Sequence, residues 1–156
     1  MRAVIQRVHA ASVDVGEERV AAVGPGLVVL LGVGRDDRAE DGEVLASKIA
    51  SLRIFEGDGG RMQRSVLDAG GEVLVVPQFT LYGDVRRGRR PDFTAAAPPE
   101  MGERLFGAFC GALRGHGLRV ATGRFGAAMG VHLEAAGPVT IVASTDGWAE
   151  GELGRR

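Results

Sequence analysis

Residues 27–33 read Leu-Val-Val-Leu-Leu-Gly-Val, an unbroken apolar run entered through the turn Gly24-Pro25-Gly26. The run is too short to cross a bilayer as a helix, and its flanking glycines and β-branched content fit a strand buried on both faces. Glu72-Val73-Leu74-Val75-Val76, opened by Gly70-Gly71, reads as a second core strand. Such strands need apolar cover above and below, so the rest of the chain has to supply layers around a sheet.

The remaining pattern supplies them. Ala3-Val4-Ile5-Gln6-Arg7-Val8 reads as a strand, and Ser12-Val13-Asp14-Val15 turns through Gly16-Glu17-Glu18 into Arg19-Val20-Ala21-Ala22-Val23, a hairpin. Residues 36–53 read as a helix, with Asp36, Asp37, Glu40, Asp41 and Glu43 near its start and Lys48 and Arg53 near its end, as the helix dipole favours. Leu45, Ile49 and Leu52 give it one apolar stripe. Gly57-Asp58-Gly59-Gly60 marks a hairpin tip. Pro98-Pro99-Glu100 opens a second helix whose Met101, Leu105, Phe109 and Leu113 share one side, and Gly115 or Gly117 ends it. Residues 118–121, 131–134 and 138–143 read as closing strands. The expectation is an α+β fold of curled antiparallel and mixed sheets, barrel-like, with both helices packed on one side. Residues 1–144 form a single domain in this reading, and the Gly- and charge-rich residues 145–156 a mobile tail.

Composition narrows the function. The 156 residues carry a net charge of -1, so the chain is no polycation, and any affinity for nucleic acid has to come from local clusters. The lone Cys110 lies among apolar helix residues and reads as a small buried hydrophobe. Metal-binding Cys/His spacing, a phosphate loop and a Gly-x-Ser-x-Gly elbow are all missing from the sequence, so no metal or cofactor is expected. His9, His116 and His132 are scattered, which disfavours a charge-relay hydrolase. The Met1-Arg2-Ala3-Val4-Ile5 opening goes straight into a strand with no leader pattern, and a cytoplasmic protein that avoids membranes is the expectation.

Chemistry concentrates in one stretch. Pro77-Gln78-Phe79-Thr80-Leu81-Tyr82-Gly83-Asp84 ends a core strand, and Arg86-Arg87-Gly88-Arg89-Arg90-Pro91 follows at once. Read as strand, Gln78 and Thr80 share one face, and the strand end exposes backbone N–H groups able to hold an oxyanion without an ionisable side chain. An isolated Thr in such a place is more often a β-former than a catalyst. Charged runs are usually solvated loops, yet four arginines around a glycine favour a phosphate partner. Arg2, Arg7 and Arg124 could extend that patch. Gly137-Pro138 reads as a turn entering a strand, with no sequence rule for its isomer.

Gln78-Phe79-Thr80-Leu81 and Gly137-Pro138-Val139-Thr140 together resemble the D-aminoacyl-tRNA deacylase family. Collinear matches at Leu52-Arg53-Ile54-Phe55, Gly88-Arg89-Arg90-Pro91, Ala96-Ala97-Pro98-Pro99-Glu100 and Thr122-Gly123-Arg124-Phe125-Gly126 extend the resemblance over nearly the whole chain. It implies a homodimer that hydrolyses, without metal, the ester between a D-amino acid and the terminal adenosine of tRNA, with the active site at the subunit interface. It implies catalytic roles for Gln78, Phe79 and Thr80, and leaves open whether Thr80 attacks or only positions water and the ribose hydroxyl. It further implies a chirality gate from the partner's Gly137 and Pro138, cis in this family, braced by Arg7. Pro77, Phe125 and Met129 match pocket positions, and Arg86, Arg87, Arg89 and Arg90 are the expected tRNA contacts.

Two departures from the family pattern bear on chirality. Pro77 stands where the family usually has Ser, and Ala135-Ala136 where polar residues usually precede the Gly-Pro. A related paralogue group with Pro-Gln at this point has a relaxed pocket acting on L-alanyl-tRNA. The alternatives are therefore an editing enzyme for L-Ala or Gly esters, which requires only a wider pocket, and a non-catalytic RNA-binding module using the same arginines.

Overall fold

A computed structural model describes residues 1–86 and 88–147; Arg87 and residues 148–156, which include most of the expected tail, lie outside the described residues. The strand over Arg2–Val15 (β1) organises the sheet. Its first half pairs antiparallel with Gly26–Gly32 (β3), from Arg2↔Gly32 to Val8↔Gly26. Its second half pairs with Glu18–Val23 (β2). Along the other edge of β1 runs Gly130–Ser144 (β8), from Arg2↔Ser144 to Asp14↔Gly130, with irregularities around Val8.

On the far side of β3 the sheet continues in parallel. Glu72–Pro77 (β6) pairs with β3, and Arg119–Thr122 (β7) pairs with β6. Parallel neighbours need long crossovers. The first contains the helix Ala39–Ser51 (α1) and the small hairpin of Phe55–Glu56 (β4) and Met62–Arg64 (β5); the second contains the helix Pro99–Gly115 (α2). The strand order is β2-β1-β3-β6-β7, with β8 on β1, and β2 also lies against β6 and β7, which curls the sheet into a nearly closed barrel.

The apolar runs of β3 and β6 divide by strict alternation. Leu27, Val29, Leu31, Val73 and Val75 join Leu45 and Ile49 of α1 and Leu105, Phe109 and Leu113 of α2 in one cluster, so both helices cover the same face. Val28, Leu74 and Val76 point the other way, into a second cluster with Val8, Val13 and Val23 inside the curl. Both faces of the two central strands are thus dry, as their composition requires. Cys110 is buried in the first cluster, and burial pushes its thiol up to about 11.

Three expectations change. The strands read over residues 3–8 and 12–15 are one strand, as are those over 131–134 and 138–143, and the outer half of the sheet is parallel where hairpins dominated the reading. The first helix begins at Ala39 because Asp37 is used elsewhere: its carboxylate accepts from the Gly34 N–H at 2.6 Å and from the α-amino group of Met1 at 2.5 Å. Beyond β8, the Thr145 N–H donates to the Met1 carbonyl and Asp146 pairs with Arg2.

Candidate active site

β6 ends at Pro77, whose missing N–H falls on the β7 side of the strand, where pairing has already stopped at Val75↔Thr122. The Gln78 N–H still donates to the Leu31 carbonyl at 2.7 Å, and the chain then winds into a 3-10 turn over Phe79–Tyr82. This corrects the reading of Gln78, Phe79 and Thr80 as a continuing strand. Over so few residues, alternation and a 3-10 turn fit equally well, and the turn still brings Gln78 and Thr80 together: the Gln78 Nε2 donates to Thr80 Oγ1.

The turn is clamped from behind. Arg2 Nη1 donates to the Leu81 carbonyl at 2.9 Å, and its guanidinium lies 4.2 Å from the centre of the Tyr82 ring. The Tyr82 hydroxyl donates to Asp37 Oδ2 at 3.2 Å; burial first and the Asp37 charge second raise its pKa far above the ordinary phenol value. Within the turn, Leu81 N–H donates to Gln78 and Gly83 N–H to Thr80. The N–H groups of Phe79 and Thr80 have no acceptor among the described residues, as expected for the opening of a 3-10 turn. They are two fixed donors at a rim.

That rim borders a cleft of about 670 Å³. Pro77, Gln78, Phe79, Phe125 and Met129 all line it, whereas Thr80 is not among the lining residues. Gly123 makes the close approach there feasible: a Cβ on it would stand 2.8 Å from the Met129 sulfur and 3.4 Å from Pro77 Cδ. Residues 93–99 add a further wall; Ala96-Ala97-Pro98-Pro99 figured in the family resemblance and Pro98-Pro99 in the second helix's opening, whereas Phe93 and Thr94 drew no reading. This wall is tied to the end of β3 by Ala97 N–H to Val33 at 2.9 Å and by Arg35 N–H to Ala95 at 3.0 Å. Phe93 meets the exposed Phe79 edge-on at 5.3 Å.

The arginine loop is closed at its base, where Asp84 and Asp92 exchange backbone hydrogen bonds of 2.7 and 3.0 Å. Arg86 folds back onto Asp84 through both carboxylate oxygens, so its charge is partly met within the loop. Arg89 and Arg90 are exposed, with no acid at ion-pairing distance among the described residues. The hydrogen bonds from the Arg86 side chain, then from its backbone N–H, pull the Asp84 carboxyl down to about 2. A depressed value means that this pairing supports the loop above the ordinary carboxylate value of 3.8 and is lost as pH falls through about 2. An NMR titration is expected to find the Asp84 midpoint near 2; a midpoint near 3.8 would show that the bidentate pair does not persist in solution.

Gly137 and Pro138 are joined by a cis peptide bond, are exposed, and stand apart from the cleft of their own chain. Arg7 is buried against them: its Nε donates to the Ala136 carbonyl at 3.2 Å and its Nη1 to the Ile54 carbonyl at 2.7 Å. It is not part of an arginine patch. Neither are Arg2, held on Tyr82 and Asp146, and Arg124, paired with Glu18 at 3.1 Å. His132 is exposed beside Asp14.

The model of the family described as D-Tyr-tRNA(Tyr) deacylase matches residues 4–144. The chain belongs to this family. It is 58% identical over 142 residues to the D-aminoacyl-tRNA deacylase of Roseiflexus sp. (strain RS-1), covering 91% of this chain and 92% of that one. It is 57% identical over 156 residues to the deacylase of Chloroflexus aurantiacus, covering 100% and 96%. Among solved structures, the c-Myc DNA unwinding element binding protein superposes with a TM-score of 0.86 at 42% identity, covering 92% of this chain and 98% of that one. A probable eukaryotic D-amino acid tRNA deacylase shares the fold, with a TM-score of 0.78 at 22% identity over 90% and 97% of the two chains. The stretch the family model covers runs from β1 to the end of β8 and so includes both the cleft-lining residues and the Gly137-Pro138 segment.

Proposed function

We propose that the protein hydrolyses the ester of D-aminoacyl-tRNA at this cleft, working in the cytoplasm as a homodimer that completes each site with its partner's Gly137 and Pro138. Residues 1–144 act as the single deacylase domain. The observation that carries the mechanism is the pair of unaccepted N–H groups of Phe79, which lines the apolar cleft, and of Thr80, the next residue along the same turn. As a nucleophile adds to the ester carbonyl, its oxygen gains negative charge, and two rigid donors stabilise that charge more than they stabilise the neutral ground state. An aminoacyl ester is already labile, so donors plus orientation suffice. Gln78 fixes the Thr80 oxygen as an acceptor, which leaves the hydroxyl hydrogen free to hold the attacking water or a ribose oxygen. Thr80 is thus a positioning group in this mechanism.

Pro77, Phe125 and Met129 receive the aminoacyl end, and the rigid Gly137-Pro138 segment of the partner, braced through Arg7, closes the side where an L side chain would project. Arg89 and Arg90, with Arg86 and Arg87, meet the tRNA backbone. Single-turnover deacylation of D-Tyr-tRNA and L-Tyr-tRNA tests the reading, with the D ester expected to be released about 100-fold faster, a discrimination of about 2.7 kcal/mol. Equal rates would reject chirality proofreading, and protection of the ester would favour an RNA-binding module. Thr80→Ala is expected to lose less than about tenfold, because main-chain donors remain; complete loss would make Thr80 the nucleophile. Pro77 places an apolar ring where a hydroxyl and an N–H would otherwise restrict the pocket, so L-Ala-tRNA and Gly-tRNA belong in the same assay.

A further inference from the structure

Among the described residues that line the cleft, Arg35 is the one charged side chain. It is exposed at the β3–α1 connection and has no acid at ion-pairing distance among the described residues. Its backbone is held on both sides. Its own N–H donates to Ala95, Gly34 bridges to Ala96, and the Gly34 N–H is fixed on Asp37. The backbone from which the side chain reaches is thus fixed, and the planar guanidinium fork loses less entropy per hydrogen bond to an anion than an ammonium would.

We propose that Arg35 binds the phosphodiester joining the last two nucleotides of the tRNA. This rests on the deacylase reading above. In an aminoacylated 3′ end the amino acid's carboxylate is esterified and its amino group is cationic, so that phosphodiester is the nearest negative charge to the reacting ester. A cleft of about 670 Å³ is of the size that holds one nucleoside with its amino acid, which sets the 5′ phosphate at the mouth. Arg35 also lies within electrostatic reach of the arginine loop: the Asp92 carboxyl, lowered first by the Thr94 N–H, is lowered further by the Arg35 charge. The terminal phosphate on Arg35 and earlier phosphates on Arg89 and Arg90 form one track leading out of the cleft.

The test compares two minimal substrates, the D-tyrosyl ester of adenosine, which lacks the phosphate, and the D-tyrosyl ester of the dinucleotide CpA, which has it. For the wild type, the dinucleotide is expected to show a KM about tenfold lower, the usual size of a charge-assisted contact. Arg35→Gln should raise the dinucleotide KM about tenfold, leaving kcat and the nucleoside ester unchanged, while Arg35→Lys keeps much of the difference. An Arg35→Gln variant within twofold of wild type on the dinucleotide, or one equally impaired on both esters, would overturn the assignment. Failure of the wild type to hydrolyse either ester would instead overturn the deacylase reading, and this inference with it.

Discussion

Gly137→Ala is expected to lower D-Tyr-tRNA deacylation about 100-fold, more than any change of the Thr80 side chain, because the geometry around Gly137 has no slack. Its φ is +114°, a region L side chains rarely adopt, at a cost of about 1–3 kcal/mol. An added Cβ would meet Arg7 Nη2 and Val139 Cγ2 at 2.9 Å and the Val139 backbone nitrogen at 3.1 Å. Arg7 cannot step aside without releasing the Ala136 and Ile54 carbonyls and stranding a buried guanidinium. Relief has to come from moving the Gly137-Pro138 segment itself, the part proposed to screen handedness in the neighbouring subunit. A shift of about 1 Å in a positioning element can cost on the order of 100-fold in rate, whereas its stability penalty stays near the few kcal/mol of local strain. Deacylation kinetics read beside thermal melts separate the two effects. A variant that folds and retains turnover within about threefold would remove Gly137 from the catalytic assembly.

Gly26→Ala should be worse for the fold itself. A Cβ there would stand 1.9 Å from the Glu72 carbonyl oxygen and 2.7 and 2.8 Å from the Glu72 nitrogen and carbonyl carbon. All three are main-chain atoms of the adjacent parallel strand, so no rotamer relieves the overlap. Gly26 is held on its other side by pairing with Val8, and the Glu72 N–H is fixed on the Pro25 carbonyl at 3.1 Å. The strands would have to part at the point where β3 first meets β6. We expect a loss of about 4 kcal/mol or more, at the far end of single-substitution effects and a large share of a typical domain's 5–15 kcal/mol. Urea denaturation gives the measurement, and a loss below about 1 kcal/mol would show that the backbone relaxes far more readily than its pairing suggests.

The core was readable because unbroken Val and Leu runs leave a strand no solvent face. Both central strands and the second helix stripe fall where those patterns place them, and in the first helix Leu45 and Ile49 do, while Leu52 lies just past the helix end at Ser51. The length of β1 was not readable. Arg7 and His9 interrupt its apolar pattern, and Arg7 is buried only because carbonyls more than forty residues away accept its protons. At the site, Pro77, Gln78, Phe79, Phe125 and Met129 do meet in one cleft, yet residues 93–98 are irregular chain tied to the β3–α1 connection by two backbone hydrogen bonds, and no periodicity announces where such a segment lies. Arg35 carries no sequence signal, because its meaning depends on the folded turn that places it against the cleft. The arginine loop was legible as a basic run, whereas the return of Arg86 onto Asp84 is a matter of loop closure.

The pairing of β1 with β8 couples the earliest-made strand to the last. Residues 2–14 wait for residues 130–144, and at translation rates of about 5–20 residues per second the interval is on the order of ten seconds. Throughout it one edge of β1 offers bare amides and carbonyls to any passing strand. The late arrival of its partner thus makes this edge the segment most open to mispairing until the two distant stretches meet.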